Sequence, residues 1–387
     1  MRVRYLLHNA YGVGGTVRTV FHQANALCGA HDVEIASVHR SADAPVFPLD
    51  PRVRLVTLSE RARRSGLRNP LPHGRDFRYR GWDPAVDLRV VRYIRAQRDA
   101  IVITTRPALN ILSAWFGPRR LIRIGQDHMN LGTYRRRLRR EILRAYPRLD
   151  AVTVLTDADL AAYREALGGR TRLVRIPNGI PARTSTPQRH DTKVVVAAGR
   201  LVRQKGFDLL IKAFARVHER HPDWELHIFG YGRKRQRLTT MIAERGLEDV
   251  IRLRGVSRDL DAEFATAALF VLSSRHEGLP MVLLEAMSSG LPVVSFDCPT
   301  GPAEIVEHGT NGLLVPAEDV DGLAAALSQM IENGQDRERM GRAARVTGTR
   351  YEMPVIAEQW ERLFREVRRR PPAPTPASGG RRPRGTR

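Results

Sequence analysis

The stretch that decides the fold is LFVLSSRHEGLPMVLLEAMSSGLPVVSFD, residues 269–297. Its apolar start predicts a short buried strand, Pro280 suits a first helical turn, Gly290 ends the helix, and a second strand follows. Glu277 therefore lies at the carboxyl end of a strand, and Glu285 lies about a turn and a half inside the helix. In an open α/β sheet ligands bind at this edge, where free N–H groups at the helix start attract a phosphate. The stretch predicts a ligand site in which two carboxylates face one crevice.

Strands and helices alternate on both sides of this stretch, which predicts two doubly wound α/β halves. A glycine loop, HNAYGVGGT, follows the first strand, but its spacing is neither G-x-G-x-x-G nor a P-loop. The predicted strands are 3–7, 33–38, 53–58, 101–104, 121–125 and 151–155 in the first half, and 194–198, 226–229, 251–253, 269–272, 293–296 and 313–315 in the second.

The predicted domains follow from this alternation. The segment 174–187, which contains Asn178-Gly179, ends the first half and loses the hydrophobic pattern. We therefore expect a first domain over 1–182, a linker over 183–192, a second domain over 193–352, a last helix over 353–369 and a disordered basic tail over 370–387.

Composition excludes some classes of protein. The 387 residues are 42% hydrophobic, enough for real cores, and no apolar run approaches the ~20 residues of a spanning helix. The start of the chain lacks the features of a signal peptide. Cys28 and Cys298 stand on unrelated segments, so neither a disulfide framework nor a cysteine metal site is indicated. A cytoplasmic protein is expected, in some settings peripheral at the inner face of the cell membrane.

The charge of the chain is positive and uneven. The formal net charge is +23; residues 52–148 carry 24 arginines against 7 acidic residues, and residues 368–387 carry 7 arginines and no acid. Such charge suits nucleic acid, an anionic membrane or a phosphorylated acceptor. However, 60 of the 64 basic residues are arginine, which also fits a GC-rich genome. Aromatic residues make up only 6% and form no interleaved platform, so we expect no nucleic-acid partner.

Two arginine-rich segments stand out in the first half. Residues 59–79 predict a long loop, either on the acceptor side of a site or disordered. The second segment predicts a helix with apolar residues at every fourth position, which either lies on anionic lipid or is a solvated helix packed by its apolar stripe. That stripe is Tyr134, Leu138, Ile142 and Tyr146, and the other faces carry Arg135, Arg136, Arg137, Arg139, Arg140 and Arg144.

The two glutamates resemble a known signature. EGLPMVLLE followed by AMSSGLPVV, a glutamate, seven residues and a second glutamate, resembles the motif of the retaining glycosyltransferases of family 4. This resemblance implies an α/β protein of GT-B architecture, with two Rossmann-like domains facing across a cleft and a C-terminal helix crossing back to the first domain. It implies that Glu277 touches the donor sugar and that Glu285 binds the ribose hydroxyls. A carboxylate can accept two hydrogen bonds from a vicinal diol, although glutamates near a helix start also serve as dipole partners.

The same resemblance assigns further site residues. His128, which follows a predicted strand, is expected at the sugar or the leaving phosphate. Arg200 and Lys205, in GRLVRQKGFDLLI, resemble the family's diphosphate clamp, and cations suit a leaving group that gains negative charge. Lys205 is one of only four lysines, which argues against generic surface filling. The remaining expected donor contacts are Gly14, Gly15, Gly230, Gly232, Arg254, Leu279, Val282, Thr300 and Gly301.

The resulting prediction is a hexosyltransferase that needs no cofactor and no metal. Its expected donor is a nucleotide diphosphate sugar, a UDP-sugar in preference to a GDP-sugar, and its acceptor a glycan, a polymer or a lipid-linked acceptor. Alternatives are a nucleotide-sugar epimerase of the same architecture and a basic protein that binds nucleic acid or a lipid surface. Three Asp-x-Asp pairs, at 157/159, 259/261 and 319/321, each precede a predicted helix, where aspartates act as caps and dipole partners rather than metal ligands.

Overall fold

The structure, a computed structural model, describes residues 1–60, 84–182, 192–257 and 259–369. Most of the arginine-rich loop 59–79, all but the last residue of the linker 183–192, and the tail 370–387 lie outside these residues.

The described residues of the first domain form a seven-stranded parallel sheet in the order β3-β2-β1-β4-β5-β6-β7. Alternate residues of its strands enter cores on opposite faces, as Tyr5 and Leu6 do on β1, so both faces are covered by helices. Its elements are β1 Arg2–Asn9, α1 Gly15–Leu27, β2 Asp32–His39, β3 Arg54–Thr57, α2 Pro84–Ala96, β4 Ala100–Thr104, α3 Pro107–Phe116, β5 Ile122–Gln126, α4 Arg136–Ala145, β6 Ala151–Val154, α5 Asp157–Leu167 and β7 Leu173–Arg175.

The second domain is a six-stranded parallel sheet in the order β10-β9-β8-β11-β12-β13. It too is buried on both faces, with Val195 of its first strand in one core and Val196 in the other. Its elements are β8 Val194–Ala198, α6 Phe207–Arg220, β9 Glu225–Phe229, α7 Arg235–Ala243, β10 Ile251–Gly255, α8 Leu260–Ala265, β11 Leu269–Leu272, α9 Met281–Ser288, β12 Val293–Asp297, α10 Pro302–Ile305, β13 Gly312–Pro316, α11 Val320–Glu332 and α12 Gly334–Thr349.

Both sheets reverse their strand order beside their first strand. The reversal falls between β1 and β4 in the first domain and between β8 and β11 in the second. Loops at the carboxyl ends of the strands separate there and leave a crevice for a ligand. This topology places the loops after β8 and β11 side by side.

The last helix, α13 (Met353–Arg368), crosses back to the first domain. Trp360 and Phe364 are fully buried in the same core as α1. The crossing is tied to the outgoing chain, because Ile180 donates its N–H to Tyr351 and accepts the N–H of Met353 at 2.7 Å. The predicted crossing helix is confirmed.

Two predictions about the first domain need correction. The sequence predicted six strands, but Leu173–Arg175 forms a seventh, so the segment from Val174 onward does not lose its β structure at once. Helix α4 is also shorter than its apolar stripe, since Tyr134 and Tyr146 lie outside it. Both tyrosines are nevertheless buried in the domain core with the rest of the stripe.

The arginines of the α4 segment face outward. The six arginines are exposed, whereas the apolar stripe is covered by the domain itself. The helix therefore matches the alternative of a solvated helix packed by its stripe. None of the helices in the described residues has the length and apolar character to cross a bilayer.

Candidate functional site

A lysine and a glutamate meet at the switch point of the second domain. Lys205 ends a single 3₁₀ turn, Arg203–Lys205, after β8, and Glu277 lies in the loop after β11. Lys205 Nζ lies 2.5 Å from Glu277 Oε1, and Ser274 Oγ donates to the same oxygen at 2.5 Å. Both charged side chains are largely buried. Two residues that are distant in sequence thus form one charged pair at the edge where ligands bind.

Close backbone packing fixes this pair. Gly206 has φ +64°, and a Cβ there would lie 1.8 Å from the carbonyl oxygen of Ser273. Only glycine tolerates both the left-handed backbone and this approach. Ser273 Oγ in turn donates to the Lys205 carbonyl at 3.0 Å. The loops after β8 and β11 are therefore locked together where they carry the pair.

A second ion pair, which the sequence did not predict, joins the same two loops. Arg275 donates two hydrogen bonds of 2.8 Å to the carboxylate of Asp208 and a third to the Arg203 carbonyl. Burial alone would raise the pKa of Asp208, but the hydrogen bonds from Arg275 hold it below its ordinary value. Bidentate hydrogen bonds between arginine and a carboxylate are among the strongest in proteins, and this one holds the Lys205 turn against the Glu277 loop.

The second glutamate of the motif contacts the other domain. Glu285, on α9, is only 2% exposed, and its Oε1 lies 2.6 Å from Arg18 Nη2. Arg18 lies in the first turns of α1, just after Gly14 and Gly15, where a Cβ on either glycine would meet nothing within 4 Å. Arg18 was not singled out in the sequence, because no motif distinguished it from the other arginines.

The His128 turn faces the Glu277 loop across the cleft. A Cβ built on Gly278 would lie 3.2 Å from the His128 carbonyl oxygen. Asn130 Nδ2 donates to Thr300 Oγ1 at 2.5 Å, and Thr300 Oγ1 donates to the Glu277 carbonyl at 2.5 Å. His128 and Glu277, expected together from the resemblance, are therefore on loops that touch. Asn130 was not predicted.

Thr300 and Gly301 form a strained turn at this junction. Thr300 has φ +60°, unusual for a β-branched residue, and Gly301 has φ +96°. A Cβ on Gly301 would lie 2.8 Å from the Gly278 carbonyl oxygen. The turn thus packs directly on the loop that leads into α9, and backbone strain of this sort concentrates at functional sites.

A third contact across the cleft involves Glu304 on α10. Its two carboxylate oxygens accept the backbone N–H groups of Asp157 and Ala158 at 2.8 and 3.0 Å. These are the first free N–H groups of α5, where the helix dipole favours an anion. Arg175 Nε lies 3.9 Å from the same carboxylate. Glu304 therefore caps a helix of the opposite domain.

The other expected donor contacts are more dispersed. Arg200 is exposed after β8, Leu279 is buried and Val282 is half-buried at the start of α9. Gly230, with φ +141°, and Gly232 both pack against protein backbone. A Cβ on Gly230 would lie 1.9 Å from the Gly199 carbonyl oxygen, and a Cβ on Gly232 would lie 2.5 Å from the Leu201 carbonyl oxygen. Their glycine identity is explained by packing between the loops after β8 and β9.

Arg254 lies in a separate groove. It is exposed on the edge strand β10 and lines an open cavity of about 710 Å³ with residues of α7 and α8. None of Lys205, Glu277 and Glu285 lines this cavity. The buried charges and the touching loops lie at the Lys205–Glu277 pair and not in this groove.

The first aspartate caps a helix in two of the three Asp-x-Asp pairs. Asp259 accepts the N–H groups of Asp261 and Ala262 at the start of α8, and Asp319 accepts that of Gly322 at the start of α11. Asp157 and Asp159 lie in the first turn of α5, after the cap Thr156. Within the described ranges, no three His, Cys, Asp or Glu side chains are grouped so as to hold a metal ion.

Part of the chain matches a known protein family. Residues 181–347 match the family described as glycosyl transferases group 1. An exopolysaccharide phosphotransferase of Streptomyces coelicolor is 35% identical over 385 residues, which are 95% of this chain and 41% of that protein. An uncharacterized glycosyltransferase of Haemophilus influenzae is 24% identical over 368 residues, 94% of this chain and 99% of that one. The chain therefore spans less than half of the first relative and nearly the whole length of the second.

A solved structure shows the same architecture. The crystal structure of a mutant of S. aureus TarM in complex with fondaparinux, alpha-GlcNAc-glycerol and UDP has a TM-score of 0.77 at 17% identity, and the match covers 94% of this chain and 100% of that one. The predicted GT-B fold is confirmed. The chain has this fold, and its residues 181–347 match the family of glycosyl transferases group 1.

Proposed function

We propose that the chain is a retaining glycosyltransferase of family 4 that transfers a sugar from a nucleotide diphosphate sugar to a hydroxyl group of an acceptor. The observation that carries this proposal is the buried Lys205–Glu277 pair at the switch point, with Nζ and Oε1 2.5 Å apart and Glu277 in the loop that leads into α9. A cation, an anion and a helix N-terminus at one edge match the charges that develop when a sugar leaves a diphosphate.

The chemistry follows from the placement of these groups. The bond between the anomeric carbon and the diphosphate oxygen breaks, and the bonding pair leaves with the diphosphate. Lys205, Arg200 and the N-terminus of α9 stabilise that growing negative charge. Glu277 stabilises the positive charge on the sugar ring. The acceptor oxygen bonds to the anomeric carbon on the same face, and its proton passes to the leaving phosphate.

Two further residues complete the donor site. Glu285 is proposed to accept hydrogen bonds from the ribose hydroxyls, beside its contact with Arg18 at 2.6 Å. His128 is proposed to contact the sugar or the leaving phosphate, because its turn touches the Glu277 loop. No metal is needed in this scheme, since Lys205, Arg200 and the helix N-terminus supply the positive charge that a metal would bring.

The donor and acceptor classes are proposed from the relatives. TarM was solved with UDP and alpha-GlcNAc-glycerol, and the Streptomyces coelicolor relative is named for exopolysaccharide. These names support a UDP-sugar as donor and a glycan, polymer or lipid-linked acceptor, with a role in building a cell-envelope polysaccharide. The epimerase and the basic binding protein are not favoured. An epimerase releases free sugar, whereas the proposed enzyme attaches it to an acceptor.

A donor screen tests the proposal. UDP- and GDP-sugars are supplied with glycan and polyol acceptors, and release of UDP or GDP is scored together with the glycosylated product and its anomeric configuration. We expect UDP release with at least one donor, retained configuration and full activity in EDTA. Lys205→Ala should abolish most of this activity, whereas Lys212→Ala, which removes an exposed lysine of α6, should not. Activity lost in EDTA and restored by Mg²⁺ would contradict the metal-independent scheme.

A further inference from the structure

A buried aspartate surrounded by hydroxyl groups lies directly before His128. Asp127 directly follows β5 and is 2% exposed. Within the described residues, its carboxylate accepts hydrogen bonds from four donors. Oδ1 accepts bonds from Tyr134 Oη and, at 3.3 Å, from the N–H of Met129, and Oδ2 accepts bonds from Tyr146 Oη at 3.0 Å and Tyr163 Oη at 2.6 Å.

The three tyrosines come from different parts of the domain. Tyr134 precedes α4, Tyr146 follows it, and Tyr163 lies on α5. The rings of Tyr146 and Tyr163 are stacked, with centroids 6.1 Å apart. The network continues to α3 and β4, because Asn110 Nδ2 donates to Tyr146 Oη at 2.9 Å and Thr104 Oγ1 donates to Asn110 Oδ1 at 2.6 Å. Asp127 is therefore the centre of a hydrogen-bonded network that joins the helices to the end of β5.

Holding this carboxylate inside the protein is costly. Burial raises the pKa of Asp127, and the hydrogen bonds from the tyrosines oppose that rise. No lysine, arginine or histidine within the described ranges forms an ion pair with it. A buried polar network that is fully satisfied makes the local structure rigid and unique. Such rigidity also fixes the position of a group that directly follows the network along the chain.

The neighbouring group is the turn that reaches the opposite domain. Residues 128–130 follow Asp127 directly, and the Met129 N–H is one of its four donors. The same turn brings the His128 carbonyl to Gly278 and Asn130 to Thr300, which bonds to the Glu277 carbonyl. A shift of Asp127 would therefore move His128 relative to Glu277.

We propose that Asp127, Tyr134, Tyr146 and Tyr163 form a positioning cluster that fixes the 128–130 turn and thereby sets His128 against the Glu277 loop. This inference rests on the proposed function, because it assumes that His128 acts on the donor. The four residues do not touch substrate themselves.

Single tyrosine variants test the cluster. In Tyr134→Phe and Tyr163→Phe, one donor to Asp127 is lost while the ring is kept. The matched control is Tyr93→Phe, which removes a 2.6 Å bond from a largely buried tyrosine to the carboxylate of Glu34 in the same domain. We expect kcat to fall about tenfold or more in the cluster variants with the donor KM within about twofold, because small misplacements of a reacting group cost this much. Tyr93→Phe should lower the unfolding midpoint similarly and leave kcat unchanged.

A second measurement does not depend on activity. The imidazole signals of His128 are identified in a ¹H–¹⁵N NMR spectrum by their loss in His128→Gln. They should shift in Tyr134→Phe and Tyr163→Phe and stay in place in Tyr93→Phe. Equal kcat values in the cluster variants and the control, or unchanged His128 signals, would overturn the cluster. A wild-type protein that transfers no sugar from any donor would refute the proposed function instead, and the NMR result would still decide on the cluster.

Discussion

Glu277 and Glu285 hold different partners, so their loss should affect different steps. In the proposed function, Glu285 binds the ribose and Glu277 lies beside the reacting carbon. Glu285→Ala should then cost about 1.5–3 kcal/mol and raise the donor KM about 10- to 150-fold. Glu277→Ala should act chiefly on kcat. Steady-state kinetics with varied donor concentration separate the two effects. The reverse result, with kcat lost in Glu285→Ala and KM raised in Glu277→Ala, would refute the assigned roles.

At the scale of single residues, the spacing of the two glutamates and the scarcity of lysine helped to identify candidate site residues. Glu277 and Lys205 could be expected in one site, because both match motifs of the family that the sequence resembles and each follows a predicted strand. Arg18 and Asn130 could not be predicted to lie at the site. Their partners, Glu285 and Thr300, belong to the other domain. Such contacts depend on how two domains meet, which no local pattern in the sequence encodes.

At the scale of elements, Gly206 controls the start of α6. It shares its backbone conformation with Gly246, at φ +64° and +63°, but a Cβ on Gly246 would meet nothing within 4 Å. Gly246→Ala should therefore cost about 1–2 kcal/mol of unfolding free energy from the left-handed backbone alone. Gly206→Ala adds the clash with the Ser273 carbonyl and should cost roughly 3 kcal/mol or more and lower kcat through Lys205. Urea unfolding of both variants measures the difference; equal losses would show that the close approach is unimportant.

The first turn of α5 should respond to pH. Burial raises the pKa of Asp159 to about 6; Thr156 opposes this rise, and Asp127 and Glu304 add to it. Between pH 4 and 6 the folded protein holds this proton and the unfolded chain does not, so the contribution of Asp159 to stability falls as pH rises. The unfolding free energy of the wild type minus that of Asp159→Asn should fall from pH 4 to pH 6 and change little above pH 6. Urea unfolding at four pH values measures this, and a constant difference would contradict it.

Element boundaries show where sequence patterns stop being informative. The strands β8 and β11 were predicted with their observed bounds, because continuous apolar runs flanked by turns are typical of buried parallel strands. Strand β7 was missed because Leu173–Arg175 is three residues long, half-buried and at the sheet edge. Tyr134 and Tyr146 were assigned to a helix by their spacing. They lie just outside α4, but both are buried and donate hydrogen bonds to Asp127.

At the scale of the whole molecule, the two-domain architecture could be predicted, whereas the closed arrangement of the domains could not. Repeated alternation of strands and helices predicts each half, and the last helix returns to the first domain as expected. The cleft itself is bridged by Arg18–Glu285, Asn130–Thr300 and Glu304 at the start of α5. Two of these bridges involve residues expected to contact the donor, Glu285 and Thr300. Domain closure and donor binding are therefore expected to be coupled.

Glu304 provides a test of this coupling, because it bridges the domains without belonging to the donor contacts. Glu304→Ala removes two hydrogen bonds from a carboxylate to the N-terminus of α5, worth about 1–2 kcal/mol to the closed form. If UDP binds best to the closed form, the Kd for UDP should rise about 5- to 30-fold. The control is Glu307→Ala, which removes an exposed glutamate three residues further along and should leave the Kd within about twofold. Calorimetric titration with UDP measures both constants, and an unchanged Kd in Glu304→Ala would show that the α5 bridge does not contribute to donor binding.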